Sequence, residues 1–191
     1  MPAQIPTVLT KGMILSQVNG FYDPLGLATP YTVKAKIMMR RLNSLGFGWD
    51  DPVTEQERSQ WENFFTELFK MEEVTYARST RPQEAVVQPW LIMFSDASYD
   101  TFGTCAYARW KLSTGAFKST LIAAKSRLAP IKKITIPRLE LNGALLSARL
   151  SDFISKETTI EFERTYFIVD SEIVRAMIQK ESYGFNTFTV V

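Results

Sequence analysis

Two short apolar runs, each closed by an aspartate, constrain this chain more than any other feature. Trp90-Leu91-Ile92-Met93-Phe94 runs unbroken into Ser95-Asp96, and Thr165-Tyr166-Phe167-Ile168-Val169 runs into Asp170-Ser171. Short apolar runs without alternation are the pattern of strands buried on both faces. Between them a second strand fits Gly103 to Leu112, Ser113-Thr114-Gly115 closes a hairpin, and a third strand fits Ala116 to Ala124. A long helix then runs from about Pro137 to Ile154, with Leu139, Leu145, Leu146, Leu150 and Phe153 among its apolar positions. Three strands joined by turns make an antiparallel meander, and a strand reached through a helix can lie parallel to the first. Asp96 and Asp170 then emerge at one edge of the sheet, where ligands sit in open α/β sheets. Ser171 caps a final helix carrying Ile173, Val174, Met177 and Ile178.

The N-terminal part reads differently. The first twenty residues carry no clear pattern, and Tyr22-Asp23-Pro24-Leu25-Gly26 is a turn. Thr29-Pro30 predicts a helix N-cap followed by proline at the first helical position. Val33, Ile37, Met38, Leu42 and Leu45 continue at helical spacing to Gly46, among Lys34, Lys36, Arg40 and Arg41. Thr54 and Glu57 form a capping box ahead of Trp61, Phe64, Phe65, Leu68 and Phe69. From Met71 to Pro89 the pattern dissolves into charges, Ser, Thr and Pro, so a small helical segment, 1–89, is expected to precede an α/β domain, 90–191.

The chemistry is narrowed by what is missing. The chain contains no histidine and a single cysteine, Cys105, which removes Ser-His-Asp and Cys-His catalysis, histidine metal ligands and internal disulfides. With 22 basic and 20 acidic residues, no global field announces a nucleic-acid partner, so any such surface must be local. No signal-like or membrane-spanning run is present, and the chain is expected to be intracellular, cytoplasmic or nuclear, and not secreted. Hydrolysis must rest on carboxylates and hard cations. Glu140, in the first turn of the long helix, can be carried over the edge where Asp96 and Asp170 emerge. Three carboxylates there call for neutralising cations, and oxygen donors alone favour Mg²⁺ or Mn²⁺. Two such ions about 4 Å apart suit in-line displacement at phosphorus, hence phosphodiester hydrolysis.

Each carboxylate has a structural explanation as well. A strand-terminal aspartate forms turns or caps helices, and a glutamate in a first turn is favoured by the helix dipole. The order distinguishes them: strand-Asp, two strands, helix-Glu, strand-Asp. On Phe94-Ser95-Asp96-Ala97-Ser98, Gly103, Pro137-Arg138-Leu139-Glu140-Leu141 and Val169-Asp170-Ser171, the stretch from about Leu91 to Gln179 resembles ribonuclease H. More narrowly, Phe21-Tyr22-Asp23-Pro24-Leu25-Gly26-Leu27, the run Ala123 to Pro130 and Ile136 to Leu141 resemble the Pao (Bel/Pao) retrotransposon polyproteins, over nearly all of residues 14 to 188. The resemblance implies a ribonuclease H-like mixed sheet whose catalytic and metal-binding residues are Asp96, Glu140 and Asp170. It implies metal-dependent hydrolysis of the RNA strand of RNA–DNA hybrids in the intact polyprotein. The first segment corresponds to the connection that follows a reverse transcriptase, the partner portion of the same polyprotein. The family pattern continues into a fifth strand and a helix bearing a fourth carboxylate. Here the sequence stops at Phe185-Asn186-Thr187-Phe188-Thr189-Val190-Val191, so the domain is read as C-terminally truncated and weak or inactive by itself. Asp100-Thr101-Phe102-Gly103 departs from an aspartic-protease loop at Phe102, which argues against proteolysis.

Lys125, Arg127, Lys132, Lys133 and Arg138, read as a basic loop leading to Glu140, are the candidate contacts to the phosphates of a hybrid duplex; the alternative is an ordinary solvated loop. Trp110, Tyr107, Trp61, Phe64 and Phe65 read as packing rather than base-stacking platforms. Two other readings compete with the nuclease. One is a catalytically inactive relic or connection module that binds nucleic acid or a protein partner. The other is a host-adopted interaction protein docking through Phe65 and Phe69 at the surface of the aromatic helix.

Overall fold

The computed structural model describes residues 8–77 and 79–180, so the expectation of a stub of a last strand at 185–191 lies outside the described residues. The chain separates into two compact units, Met1–Arg78 and Ser79–Val191. The division comes earlier than Pro89, where composition suggests it, because residues 84–89 are tied into the second unit. Val86 N–H donates to Lys111 O at 3.1 Å, Ser113 N–H to Glu84 O at 3.0 Å and Glu163 N–H to Pro89 O at 3.0 Å.

Three helices build the first unit: α1 (Lys11–Gly20), α2 (Thr29–Ser44) and α3 (Glu55–Phe69), followed by a 3-10 turn at Lys70–Glu73. Helix α1 was not expected, because its apolar residues form no stripe. Local chemistry makes it instead. The Thr10 hydroxyl accepts Met13 N–H at 3.3 Å, Gly12 N–H donates to Trp49 O at 2.9 Å, and Lys11 Nζ donates to Phe47 O at 2.6 Å. Helix α2 starts at Thr29 with Ala28 as the cap residue and no side-chain cap. Asp23 takes over the capping role, its carboxylate accepting Leu27 N–H at 2.8 Å and Ala28 N–H at 2.9 Å. Gly46, at φ 81°, follows the end of α2 in the left-handed region that favours glycine. At α3 the Thr54 hydroxyl accepts Glu57 N–H at 3.4 Å. The return half of the capping box does not form, because the Glu57 carboxylate pairs with Arg41 at 2.7 Å.

Trp61, Phe64 and Phe65 are wholly buried with Leu9, Ile14, Ala35, Leu42 and Leu68. Trp61 and Phe64 meet edge-on at 5.5 Å between centroids, as do Phe64 and Phe65. The expectation that Phe65 is at the helix surface is therefore corrected. It sits in the core, and Phe69, stacked on it at 6.3 Å, is packed against that core.

Among the described residues the second unit is a four-stranded mixed sheet in the order β3-β2-β1-β4, from β1 (Trp90–Ala97), β2 (Thr101–Lys111), β3 (Phe117–Leu128) and β4 (Arg164–Ile168), with α4 (Ile136–Glu157) and α5 (Glu172–Gln179). β1, β2 and β3 are the expected antiparallel meander, and β4 lies parallel to β1. Gly115, at φ 84°, makes the β2–β3 turn, with Gly115 N–H donating to Leu112 O at 2.9 Å.

Two expectations about burial are corrected. Helix α4 covers one face of the sheet, where Leu91, Met93, Ala106 and Ala123 pack against Leu150 and Ile154. β1 is thus buried on that face only, and Phe94 on the other is 41% exposed. All of β4 is exposed, since it forms the outer edge of the sheet among the described residues. The open face is aromatic. Trp90 packs on Phe117 and Tyr166, Phe94 packs on Tyr107, and the Trp90 indole N–H donates to Glu163 at 3.0 Å. No helix among the described residues is long and apolar enough to cross a membrane.

Phe65→Ala is expected to destabilise the first unit by about 3–5 kcal/mol, because truncating a fully buried aromatic adds a cavity to the lost transfer energy. Urea unfolding followed by tryptophan fluorescence reads this as a lowered midpoint. A loss below about 1 kcal/mol would place Phe65 outside the core.

Candidate active site

The carboxylate edge is built by register. β1 and β4 pair in parallel up to Phe94↔Ile168, so Asp96 and Asp170 each stand two residues past the last paired position, on neighbouring strands pointing the same way. Asp96 is still within β1, whereas Asp170 lies in a bend beyond the end of β4. Because Leu91 and Met93 face α4, Asp96 projects from the open face with Phe94. Both aspartates are exposed. Asp96 Oδ1 accepts its neighbour Ala97 N–H at 2.6 Å, and Asp170 directly precedes the Ser171 cap of α5, whose hydroxyl accepts Val174 N–H at 3.3 Å.

Glu140 reaches the edge from the other face. Leu150 and Ile154 of α4 lie over Leu91 and Met93, while Gly143 lies at the end of β1. The helix therefore runs opposite to β1 and brings its first turn to the carboxylate end. Contact there is tight: a Cβ on Gly143 would stand 3.2 Å from Asp96 O and 3.7 Å from Ser95 Cβ. Glu140, half-buried, is on the Gly143 side of the helix, one turn nearer the N-terminus, and lies just past the first turn rather than in it as expected, because α4 already starts at Ile136. Gly143 is thus a positioning residue that the motif reading missed. Its signal is a glycine inside a helical pattern, a choice that costs about 1 kcal/mol relative to alanine and marks close packing.

The basic residues divide. Lys125 and Arg127 are not in a loop as expected but in β3, which continues to Leu128 because β2 pairs with it as far as Thr101↔Leu128. Their rows run through Thr104 to Ser95 and through Phe102 to Ala97, so both side chains lie at the carboxylate end of the sheet, on the α4 face. Lys125 Nζ lies 5.1 Å from the Phe153 ring centre. Lys132 and Lys133 are exposed in the β3–α4 connection, and Arg138 is half-buried in the first turn of α4.

The donors are all oxygens and, among the described residues, none of the three carboxylates takes part in an ion pair. That chemistry fits a hard divalent ion. As folded, however, no group of three acidic or thiol side chains among the described residues stands close enough to hold a metal. The structure puts Asp96 and Asp170 past the same ends of the neighbouring strands β1 and β4 and packs α4 on the end of β1, without gathering the three carboxylates into a cluster. Burial raises the Cys105 thiol above its ordinary range, which keeps it protonated and unreactive at neutral pH.

Residues 10–171 match the family described as Pao retrotransposon-like RNaseH-like domain. No curated protein matches the chain. Among solved structures, the foamy viral protease-reverse transcriptase in complex with dsDNA is similar at a TM-score of 0.45 and 14% identity, over 91% of this chain and 36% of that one. A second, the foamy viral protease-reverse transcriptase dRH in complex with ds DNA, is similar at a TM-score of 0.39 and 13% identity, over 89% of this chain and 30% of that one. The chain thus spans about a third of the length of either structure.

Gly143→Ala is expected to destabilise the second unit by about 1–2 kcal/mol net, despite alanine's better helix propensity, because the Asp96 carbonyl it meets is backbone in a strand still paired with β2. Gly20→Ala, in the last turn of α1 with nothing within 4 Å, is expected to be stabilising by up to about 1 kcal/mol. Thermal unfolding of the two variants checks the contrast, and a stabilised Gly143→Ala protein would contradict the close approach.

Proposed function

The chain belongs to the family of Pao retrotransposon-like RNaseH-like domains, and from that premise we propose that its second unit is a nuclease module that hydrolyses the RNA strand of RNA–DNA hybrids. What supports the reading is the register of β1 against β4, which ends both strands at one sheet edge with Asp96 and Asp170 two residues past the last pair, and the packing of α4 on the end of β1 at Gly143. Asp96, Glu140 and Asp170 are the residues that would hold Mg²⁺ or Mn²⁺. When bound, such ions lower the pKa of an attacking water and stabilise the leaving oxygen. The protein's own part is positional. Asp96 is held in a strand paired with β2 and Glu140 by a helix packed on that strand's end, so an arriving ion would have to draw the three carboxylates the remaining distance together.

Lys125, Arg127, Lys132, Lys133 and Arg138 are proposed to hold the duplex by its phosphates, which positions the substrate without reading sequence. In the polyprotein the reverse transcriptase portion is the proposed neighbour that delivers the hybrid. One observation favours a second reading, a catalytically inactive module that keeps nucleic-acid or protein binding: the three carboxylates do not converge into a ligand cluster.

Cleavage of a labelled RNA–DNA hybrid with Mg²⁺ or Mn²⁺ separates the two. Asp96→Asn is expected to lower the metal-dependent rate by about 10²-fold or more, in this chain or in one extended by a ribonuclease H C-terminal segment. Silence from both chains, with hybrid binding retained, would leave the inactive module as the correct reading. Lys125→Ala and Arg127→Ala are each expected to weaken hybrid binding and to reduce the slope of log K against log salt by about one; an unchanged slope would remove them from the interface.

A further inference from the structure

Two connections at the carboxylate end of the second unit are fastened to each other. The β1–β2 turn is held by Ser98, whose N–H donates to Thr101 O at 2.7 Å and whose hydroxyl accepts Asp100 N–H at 3.3 Å and Thr101 N–H at 3.2 Å. The start of the β3–α4 connection is tied to that turn, since Ala129 N–H donates to Asp100 O at 2.7 Å. Tyr99 stands beside Asp100 and Ile131 two residues past Ala129, so both belong to one corner. They are the two most exposed large apolar side chains of the second unit among the described residues, at 72% and 90%. A single exposed apolar residue is ordinary on a protein surface. Here two project from one stiffened corner, and Lys132 and Lys133 follow Ile131 directly, exposed and, among the described residues, in no ion pair. Residues 98–101 and 127–133 carry Asp100 against Arg127, Lys132 and Lys133, so the charge of the corner suits a polyanion.

We propose that Tyr99 and Ile131 form a two-pronged apolar contact to the sugars and base edges in the minor groove of a bound RNA–DNA hybrid, beside the cations that hold its phosphates. The inference rests on the reading of the second unit as a hybrid-binding module and adds to it a contact that is not electrostatic. Duplexes of A-form geometry, the form in which proteins meet such hybrids, have a major groove too deep and narrow for side chains and a minor groove that is wide and shallow. Apolar groups on a protruding corner can therefore meet sugar and base surface only from the minor-groove side, with the flanking cations on the bordering phosphates. The Ser98 bonds and the tie between Ala129 and Asp100 order the backbone that carries both prongs, which lowers the entropy lost on contact. Burial of apolar surface releases no counterions, so this contact strengthens binding equally at low and high salt.

Fluorescence anisotropy of a labelled hybrid with the 191-residue chain, over a salt series in EDTA so that nothing is cut, tests this. Tyr99→Ser and Ile131→Ser are each expected to weaken binding about fivefold or more at every salt concentration, with the slope of log K against log salt unchanged. Tyr99→Phe and Ile131→Leu are expected to keep the affinity, and thermal unfolding shows separately that each variant is folded. Binding that ignores both serine variants overturns the proposal and leaves the phosphate contacts and the nuclease reading standing, as does a loss that comes only with a changed slope. A chain that binds no hybrid even at low salt overturns both the proposal and the hybrid-binding reading beneath it. Serine-sensitive binding without metal-dependent cutting supports the contact and removes only the nuclease step. Binding to phosphatidylcholine–phosphatidylserine vesicles that Ile131→Ser abolishes, with hybrid binding unchanged, would assign the corner to a membrane surface and overturn the proposal.

Discussion

Much of the second unit follows from one close contact, the passage of α4 over the end of β1 at Gly143. With any side chain there, a carbon would press on the Asp96 carbonyl at 3.2 Å, in a part of β1 that is still paired with β2. Strand or helix would have to shift by a few tenths of an ångström. Glycine lets α4 settle, and Leu146, Leu150 and Ile154 then reach the sheet behind it. The same contact sets the height of the N-terminal part of α4, and with it Glu140, over the end of β1.

A helix on one face leaves the other face and the outer edge with different work to do. The open face keeps its aromatics half-covered by packing them on one another, with Trp90 between Phe117 and Tyr166 and its N–H satisfied by Glu163. The carboxylate edge needs no such cover, because its groups are charged and solvated.

The topology of the second unit was legible in the sequence because it depends on patterns that survive without coordinates: apolar runs of strand length, a turn at Gly115 and a helix between β3 and β4. Burial was not legible. Thr165-Tyr166-Phe167-Ile168 has the composition of a central strand, yet hydropathy does not record whether a neighbour exists beyond it, and here β4 is exposed throughout. β3 was cut short at Ala124 because Lys125 and Arg127 look like loop residues, when cross-strand pairing with β2 carries them on to Leu128. In the first unit α1 escaped notice because a single threonine cap and backbone ties to Phe47 and Trp49, rather than an apolar stripe, hold it. The candidate site followed the same division. Strand ends located Asp96 and Asp170, but the role of Gly143 depends on a helix–strand distance that no spacing rule supplies.

We propose that Asp96, Glu140 and Asp170 act as one divalent-ion site although they do not form a ligand cluster as folded. Calorimetric titration of Mn²⁺ into the chain, and into its Asp96→Asn, Glu140→Gln and Asp170→Asn variants, tests it without depending on substrate. The account predicts saturable binding that each substitution weakens by about tenfold or more, the change expected when one charged ligand of a hard ion is lost. Binding that ignores all three substitutions, or no binding at millimolar Mn²⁺, would contradict it.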